Sequence, residues 1–551
     1  MHSSDEIILT PRARTHRSIL AECLLWFLAF VLMAGFFAWK FAPSYTNDSY
    51  QYLSEAGNII HGKGMQTSII FYDVERRHAS VPAPLTTFPP GYALVISLFG
   101  RLGIGLVAAS VAVSLLSCAA AFLIVMALGV ELNLDWIAIR VALAMVLFNS
   151  AYLQYSIAVM SEGLFTVALC AAIFFYVRSI LRDQPESPDW WIAGIFLATI
   201  VWIRYAGIFI LFGVTLYMVM AYGFRLRRFL PALLSLALPF GSTAALLIHN
   251  LQTAGDWRGG SGAAARVIPH PMIDFLKNLG PLIYHSLFGD NVAVHFGLVE
   301  ICFGLAAVLL AASAVTAVVR GGSLRFGRKG PALVFLAAVL IIYTALLVYN
   351  VLTTAIFYSA RYYMPLLPLF AVAVGIVLDG LLRSTEQAPG LRKVAVAALI
   401  VLGVGYADLN LKNLNAFQPN YTYAGIAGFM TEPTRQGDSL RRWIDLHVAP
   451  DAVVLASSGQ ATGYEWGRKT VSLAEAPFSN QPWTEQNVHN LMLQYHASYL
   501  VVYRNISAPL LDAEEILQSP FLGNLSADRS PAWLEEAAAS PHALVYHLKN
   551  P

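Results

Sequence analysis

Pro43–Glu55, PSYTNDSYQYLSE, begins where the first long apolar run of the chain stops. It places an acidic residue, Asp48, a few positions past the end of a helix able to cross a membrane, in a stretch rich in Tyr and Ser. On local grounds, Asn47 or Asp48 is a helix N-cap ahead of YQYLSEAGNI, because a short polar side chain satisfies the unpaired amides of a first turn. On the side away from the cytoplasm, the same carboxylate lies beside lipid head groups and their phosphates. How the remaining chain threads decides between these readings.

Charged residues make up 12% of the chain and hydrophobic ones 57%, with a mean hydropathy of +0.60. A soluble globular protein carries about 25% charged residues, so much of this chain belongs in lipid. The net charge of +2 comes with no Lys/Arg-rich block, and nothing points to nucleic acid. Cys23, Cys118, Cys170 and Cys302 all lie inside apolar runs and read as small core residues rather than a disulfide framework or metal site.

A helix crossing the hydrocarbon core needs about 20 mostly apolar residues. The expected spans are Leu20–Phe41, Gly105–Val130, Trp136–Tyr152, Ser161–Leu181, Trp190–Ile203, Tyr205–Tyr222, Phe229–Asn250, Phe296–Val319, Pro331–Leu352, Tyr362–Leu382 and Val394–Tyr406. Pro89–Gly103 is apolar but short, and is expected not to cross. Basic clusters at Arg12/Arg14/Arg17, Arg178/Arg182, Arg225/Arg227/Arg228, Arg320/Arg325/Arg328/Lys329 and Arg383/Arg392/Lys393 then fall on one side, which the excess of Lys and Arg on cytoplasmic loops makes the inner one. This predicts a polytopic α-helical membrane protein with about 11–13 transmembrane helices. It has a cytoplasmic N-terminal tail (1–19), a membrane domain (20–407) with a long first outer loop (42–88), and a small extracytoplasmic α/β domain (408–551). Strands are expected at Ala452–Ala456, Thr470–Leu473 and Ser498–Tyr503, with helices near Ser439–Val448 and Glu485–His496.

The outer face then collects Ala42–Phe88, the turn Asn149–Ser161, the loop Leu251–His295 and Thr353–Arg361. Ser49–Ile60 reads as an interfacial amphipathic helix with Leu53, Ile59 and Ile60 towards lipid. Glu162 heads a span in MSEGLF, where the helix dipole favours a carboxylate; ionisable groups at membrane depth also commonly face a cavity. Arg204 in WIRYAG and Arg361 in YSARYYMPLLP lie beside membrane ends on the outer side, against the charge bias. Two such arginines with carboxylates nearby either form ion pairs with Glu162 or Asp48, or hold an anionic ligand, since a guanidinium forks onto phosphate oxygens. No P-loop, GxGxxG, HExxH or GxSxG pattern occurs in a suitable context. His249, His285 and His295 show no metal-ligand spacing, and Asn47, Asn420, Asn505 and Asn524 head common sequons.

In the order of its parts the chain resembles the GT-C superfamily of integral-membrane glycosyltransferases, in the branch of the protein O-mannosyltransferases and the bacterial lipid A aminoarabinose transferase. The pieces are NDSYQYLSEAGNI after the first helix, FPPGY (Phe88–Tyr92) opening the next apolar segment, SEGLF, WIRYAG, and RYYMPLLP before the last spans. The sequence departs from the O-mannosyltransferases in having no acidic neighbour to Asp48 and no large β-trefoil-like insertion. The resemblance implies transfer of a sugar from a polyprenyl-phosphate carrier to an extracytoplasmic acceptor, with inversion. It casts Asp48 as general base, and Arg361 and then Arg204 as stabilisers of the departing phosphate. Glu162 would orient sugar or acceptor, Tyr362 belongs to the same substrate-binding set, and Lys63, Arg76 and Arg77 would contact the carrier phosphate or an anionic acceptor. No cofactor is obligatory, although some members of the superfamily use a divalent metal, and the partners are the lipid-linked donor, the acceptor and the bilayer. Competing readings are a transporter or flippase for lipid-linked sugars, a lipid-linked polysaccharide ligase or polymerase, and a membrane scaffold.

Overall fold

The computed structural model describes residues 16–41, 43–223, 226–260, 298–321, 326–353, 359–385, 388–416, 426–473, 482–504 and 519–549, with isolated helical positions between 273 and 288. Most of the Leu251–His295 loop lies outside the described residues, as do His285, His295, Asn420, Asn505, Arg12, Arg14, Arg225 and Arg325.

The described residues of the expected spans are mainly helical. In chain order the helices are α1 (His16–Phe41), α2 (Asn47–Ile60), α3 (Asp73–Arg76), α4 (Gly91–Arg101), α5 (Leu106–Glu131), α6 (Trp136–Leu147), α7 (Ser150–Ser156), α8 (Glu162–Arg182), α9 (Asp189–Ile203), α10 (Gly207–Tyr222), α11 (Leu226–Leu234) and α12 (Ala237–Ala254). Leu298–Gly321, Gly330–Thr353, Leu367–Ser384 and Pro389–Ala416 follow. Among the described residues seven helices are long and apolar enough to cross a membrane. The α6–α7 pair, bent by 59°, passes as an eighth. α4 has 11 residues, about half of what a crossing requires.

Two of these helices break for identifiable reasons. Between α6 and α7, Asn149 accepts the Tyr152 amide at 2.9 Å and donates to the Tyr406 hydroxyl at 3.0 Å, so its side chain replaces continuing helical bonds. Between α9 and α10, Arg204 takes an extended backbone (φ −152°, ψ 139°). Basic residues on the predicted inner side are themselves paired: Arg178 and Arg182 with Asp189, Lys329 and Arg383 with Asp379.

The expected domain boundary at Asp408 needs correction, because the last apolar helix runs on to Ala416. Its polar end is tied down by side chains: Asn410 Oδ1 accepts the Ser150 amide at 2.8 Å and Asn413 donates to the Ser150 hydroxyl at 2.6 Å. Beyond it lies a six-stranded sheet in the order β2-β5-β4-β6-β8-β7. It is built from β4 (Val453–Ala456), β5 (Lys469–Ser472), β6 (Ala497–Tyr503), β7 (Leu534–Ala539), β8 (Ala543–Leu548) and, from the first loop, β2 (Ile69–Ile70). A short β1 (Gln66–Thr67) pairs with β3 (Ala83–Pro84) alongside. β2, β5, β4 and β6 run parallel, with Ile69 opposite Thr470 and Val454 opposite both Thr470 and Tyr499. β8 and β7 are antiparallel. The parallel strands need helical crossovers, which Gly459–Trp466 and Glu485–Gln494 supply.

Strand alternation puts Ile69, Val454, Ala456, Val501 and Tyr503 on one face, with Ile70, Leu455, Leu500 and Val502 on the other. The first face shares a core with Tyr45, Tyr50, Leu53 and Ile59, so the sheet rests directly on α2. This overturns the interfacial reading of α2. Leu53 is 2% exposed and Ile59 9%, because α4, the helix Gly459–Trp466 and the edge of the sheet at β2 pack around α2.

Candidate active site

The N-cap of α2 is Thr46, one residue before the expected Asn47. Its amide donates to the Ser49 hydroxyl at 2.9 Å, and its own hydroxyl donates to the Met160 sulfur at 3.0 Å. Asp48 therefore lies inside the first turn, where the amide ends of the helix favour negative charge. Its side chain is 14% exposed and pairs with Nη2 of Arg361.

Glu162 is the first residue of α8, capped by Ser161. Gly163 beside it brings α8 against α5: a Cβ there would stand 2.9 Å from the Ser114 carbonyl oxygen. The Glu162 side chain is completely buried, and one oxygen, Oε1, receives both Arg204 Nη1 and Arg361 Nε at 2.6 Å each. Arg204 also donates to the Ser161 hydroxyl at 2.9 Å, which meets the Tyr52 hydroxyl at 3.0 Å. Gly91 of FPPGY holds α4 close to the end of α9, since a Cβ there would come within 2.6 Å of the Trp202 carbonyl oxygen. That contact sets the backbone two residues before Arg204.

Arg361 is the second residue of a 3₁₀ turn (Ala360–Tyr362) whose N-cap, Ser359, accepts the Arg361 amide at 3.2 Å. Its guanidinium carbon stands 5.6 Å from the centre of the Tyr362 ring. The Tyr362 carbonyl in turn accepts from the Tyr343 hydroxyl at 2.8 Å. Four sequence-distant residues thus form one cluster in the order Asp48–Arg361–Glu162–Arg204, two carboxylates against two guanidiniums. Of the two sequence readings of the arginines, the structure shows the ion pairs: Arg204 with Glu162, and Arg361 with both Glu162 and Asp48.

The basic residues of the first loop do not join this cluster. Lys63 is exposed beyond the far end of α2, with its amide on the Asn58 carbonyl; the 14-residue helix separates it from Asp48 by about 20 Å. Arg77 reaches the Ala254 carbonyl at 3.4 Å. Arg76 is buried, donating to the Ser472 carbonyl at 2.6 Å with its guanidinium carbon 5.2 Å from the Trp483 ring centre. On the same short helix, Glu75 accepts the Phe71 and Tyr72 amides at 2.7 and 3.1 Å, and burial pushes its carboxyl up to about 8. Burial also lifts Glu55, two turns of α2 beyond Asp48, well above the usual carboxylate range.

Sequence reasoning missed Tyr52, Ser161 and Tyr72. Tyr52 was within reach, because positions four apart share a helix face and Tyr52 stands four after Asp48. Tyr72 lies near enough to feel the charges of Asp48 and Arg361, which only the folding of the loop brings about. Among the described residues no three His, Cys, Asp or Glu side chains are grouped to hold a metal ion.

No family model matches the sequence, and no curated protein does. Solved structures do match. One is ArnT from Cupriavidus metallidurans bound to undecaprenyl phosphate, with TM-score 0.55 and 12% identity over 96% of this chain and 97% of that one. Another is the oligosaccharyltransferase AglB from Archaeoglobus fulgidus in complex with an inhibitory peptide and a dolichol-phosphate, with TM-score 0.54 and 13% identity over 88% of this chain and 69% of that one. The arabinofuranosyltransferase AftD from Mycobacteria matches with TM-score 0.51 and 14% identity, over 98% of this chain but 40% of that one. Likeness at this level of identity establishes architecture, and it agrees with the order of motifs along the sequence. The chain shares the fold of these solved structures, a polytopic helical membrane domain that carries an α/β sheet.

Proposed function

We propose that this protein is an inverting glycosyltransferase that moves a sugar from a polyprenyl-phosphate-linked donor to an acceptor hydroxyl at the outer membrane–water interface. The observation that carries the reading is the convergence of Asp48, Glu162, Arg204 and Arg361 on one cluster. It is supported by the fold and by the polyprenyl phosphates named in two similar structures. In this reading the acceptor oxygen forms its bond to the anomeric carbon while the bond from that carbon to the phosphate oxygen breaks. Asp48 takes the hydroxyl proton, a contribution of roughly 10² to 10⁴ in rate. The leaving phosphate is weakly basic and needs no general acid; it needs positive charge, which Arg361 and Arg204 carry. The N-terminal tail is then cytoplasmic, and the sheet with the first loop extracytoplasmic.

The test is transfer from a polyprenyl-phosphate sugar by the purified full-length protein in nanodiscs. Asp48→Asn, close in shape but unable to accept the proton, is expected to abolish it while the protein stays folded. Full transfer by that variant would sink the assignment of the base. Movement of the carrier across the membrane without any transfer would favour a flippase instead. A reporter fused after Pro551 is expected outside, and a cytoplasmic signal would overturn the orientation.

A further inference from the structure

The cluster contains a conflict that bears on how it works. Arg361 is the guanidinium meant for the donor's phosphate, yet its Nη2 is paired with Asp48, the carboxylate meant to act as base. A carboxylate engaged by a guanidinium is not placed to meet an acceptor hydroxyl, and a guanidinium facing two carboxylates offers a phosphate less net positive charge. The two contacts of Arg361 differ in kind. Asp48 is 14% exposed and Arg361 17%, so the contact between them keeps some access to the outside. Glu162 is 0% exposed, shares its Oε1 with Arg204 and Arg361, and its Oε2 has no hydrogen-bond partner among the described residues. Glu162 in this position touches two arginines.

We propose that Glu162 is a positioning residue that keeps Arg361 in place while the donor's phosphate displaces Asp48 from it, so that Asp48 becomes a free base only in the donor-loaded protein. This rests on the glycosyltransferase reading above and adds its order of events. The Asp48 contact runs from Nη2 to one oxygen, Oδ2, whereas a phosphate can take two donors of the same guanidinium at once. Glu162 prevents the released arginine from following the phosphate out, and its unfilled Oε2 gives Arg361 or Arg204 a second contact when the cluster opens. The charge balances through the reaction. A donor phosphodiester brings one negative charge to a neutral cluster. On transfer the phosphate gains a second negative charge as Asp48 takes up the acceptor's proton. A protein that works this way binds donor before it can activate acceptor.

The experiment measures binding of a polyprenyl monophosphate to the full-length protein in nanodiscs, for wild type, Asp48→Asn, Glu162→Gln and Glu162→Asp, with inorganic phosphate as competitor. Asp48→Asn removes the competitor for Arg361 and is expected to bind the lipid about tenfold tighter, even though it does not transfer. Glu162→Gln is expected to bind about tenfold weaker and to raise donor KM more than it lowers kcat. Glu162→Asp, which keeps the charge, recovers part of that loss. Unchanged or weaker lipid binding by Asp48→Asn overturns the exchange, and this holds even if Glu162→Gln fails to fold. Inorganic phosphate competing as well as the lipid overturns the assignment of the displacing group to a lipid-linked phosphate. If Asp48→Asn loses transfer without binding lipid more tightly, the exchange fails and the transferase reading stands. If it transfers normally, the assignment of Asp48 as the base fails.

Discussion

Arg361 Nε lies 2.6 Å from Glu162 Oε1, a contact spanning 199 residues of sequence. The remaining donors of a rigid fork are thereby aimed at Asp48 and the interface, which a single ammonium cannot reproduce. Arg361→Lys is expected to keep the protein folded and lower kcat/KM for transfer by about 10² to 10³, the usual effect of removing one donor to a developing anion. Near wild-type transfer by the lysine variant would mean that charge alone suffices.

Two glycines set the arginines and Glu162 through backbone contacts that cannot yield. Gly163→Val is expected to push α8 from α5, since its Cβ would stand 2.9 Å from the Ser114 carbonyl oxygen and 3.0 Å from Ser114 Cα. Overpacking of this kind costs about 1–3 kcal/mol, with transfer falling as Glu162 moves. Gly35→Ala, where a Cβ meets nothing within 4 Å, is the neutral control. Thermal unfolding and transfer assays on both variants check this, and equal behaviour of the two would contradict it.

Arg76 fastens the first loop to the sheet through its 2.6 Å bond to the Ser472 carbonyl. Arg76→Ala leaves that buried carbonyl short of a charged donor, a loss of about 1.5–3 kcal/mol. Limited proteolysis is expected to cut within residues 61–90 sooner in the variant than in wild type. Donor affinity is expected to change less than in Arg361→Lys. A larger loss of donor binding would restore Arg76 to the substrate set.

Glu55 and Glu75 make the outer region sensitive to pH. Both carboxyls are raised by burial, Glu75 to about 8. An unfolded chain releases these protons near about pH 4.3, so between there and about pH 8 the folded state binds more protons and loses stability as pH rises. The unfolding midpoint in detergent is expected to drop across that window, and the double variant Glu55→Gln, Glu75→Gln to flatten the profile. A flat profile in wild type would contradict the protonated state of both residues.

The elements that sequence reading recovered are those set by local composition. A run of about 20 apolar residues becomes a helix in lipid whatever its neighbours do, because every backbone group must find its partner within the segment. WIRYAG shows the same logic, since the polar Arg204 interrupts two short apolar helices where it stands. Strands β4, β5 and β6 were visible for a similar reason, as short apolar runs between turn residues. Leu534–Ala539, LEEAAA, was not visible: Glu and Ala favour helix, and pairing with β8 prevails over that preference.

Along the chain itself, then, lie a polytopic helical membrane protein, the placement of Asp48 just beyond the first span, and the acidic and basic residues available to it. Tertiary structure alone decided their partners. Ile69 pairs with Thr470 and Arg76 with Ser472 across some 400 residues; parallel pairing leaves no mark in either segment, because the crossover that enforces it lies elsewhere in the chain. The same holds at the site. Nothing local to Asp48, Glu162 or Arg361 says that one guanidinium will bridge both carboxylates, for that follows from how closely α8 packs on α5 and where the 3₁₀ turn at Arg361 comes to rest.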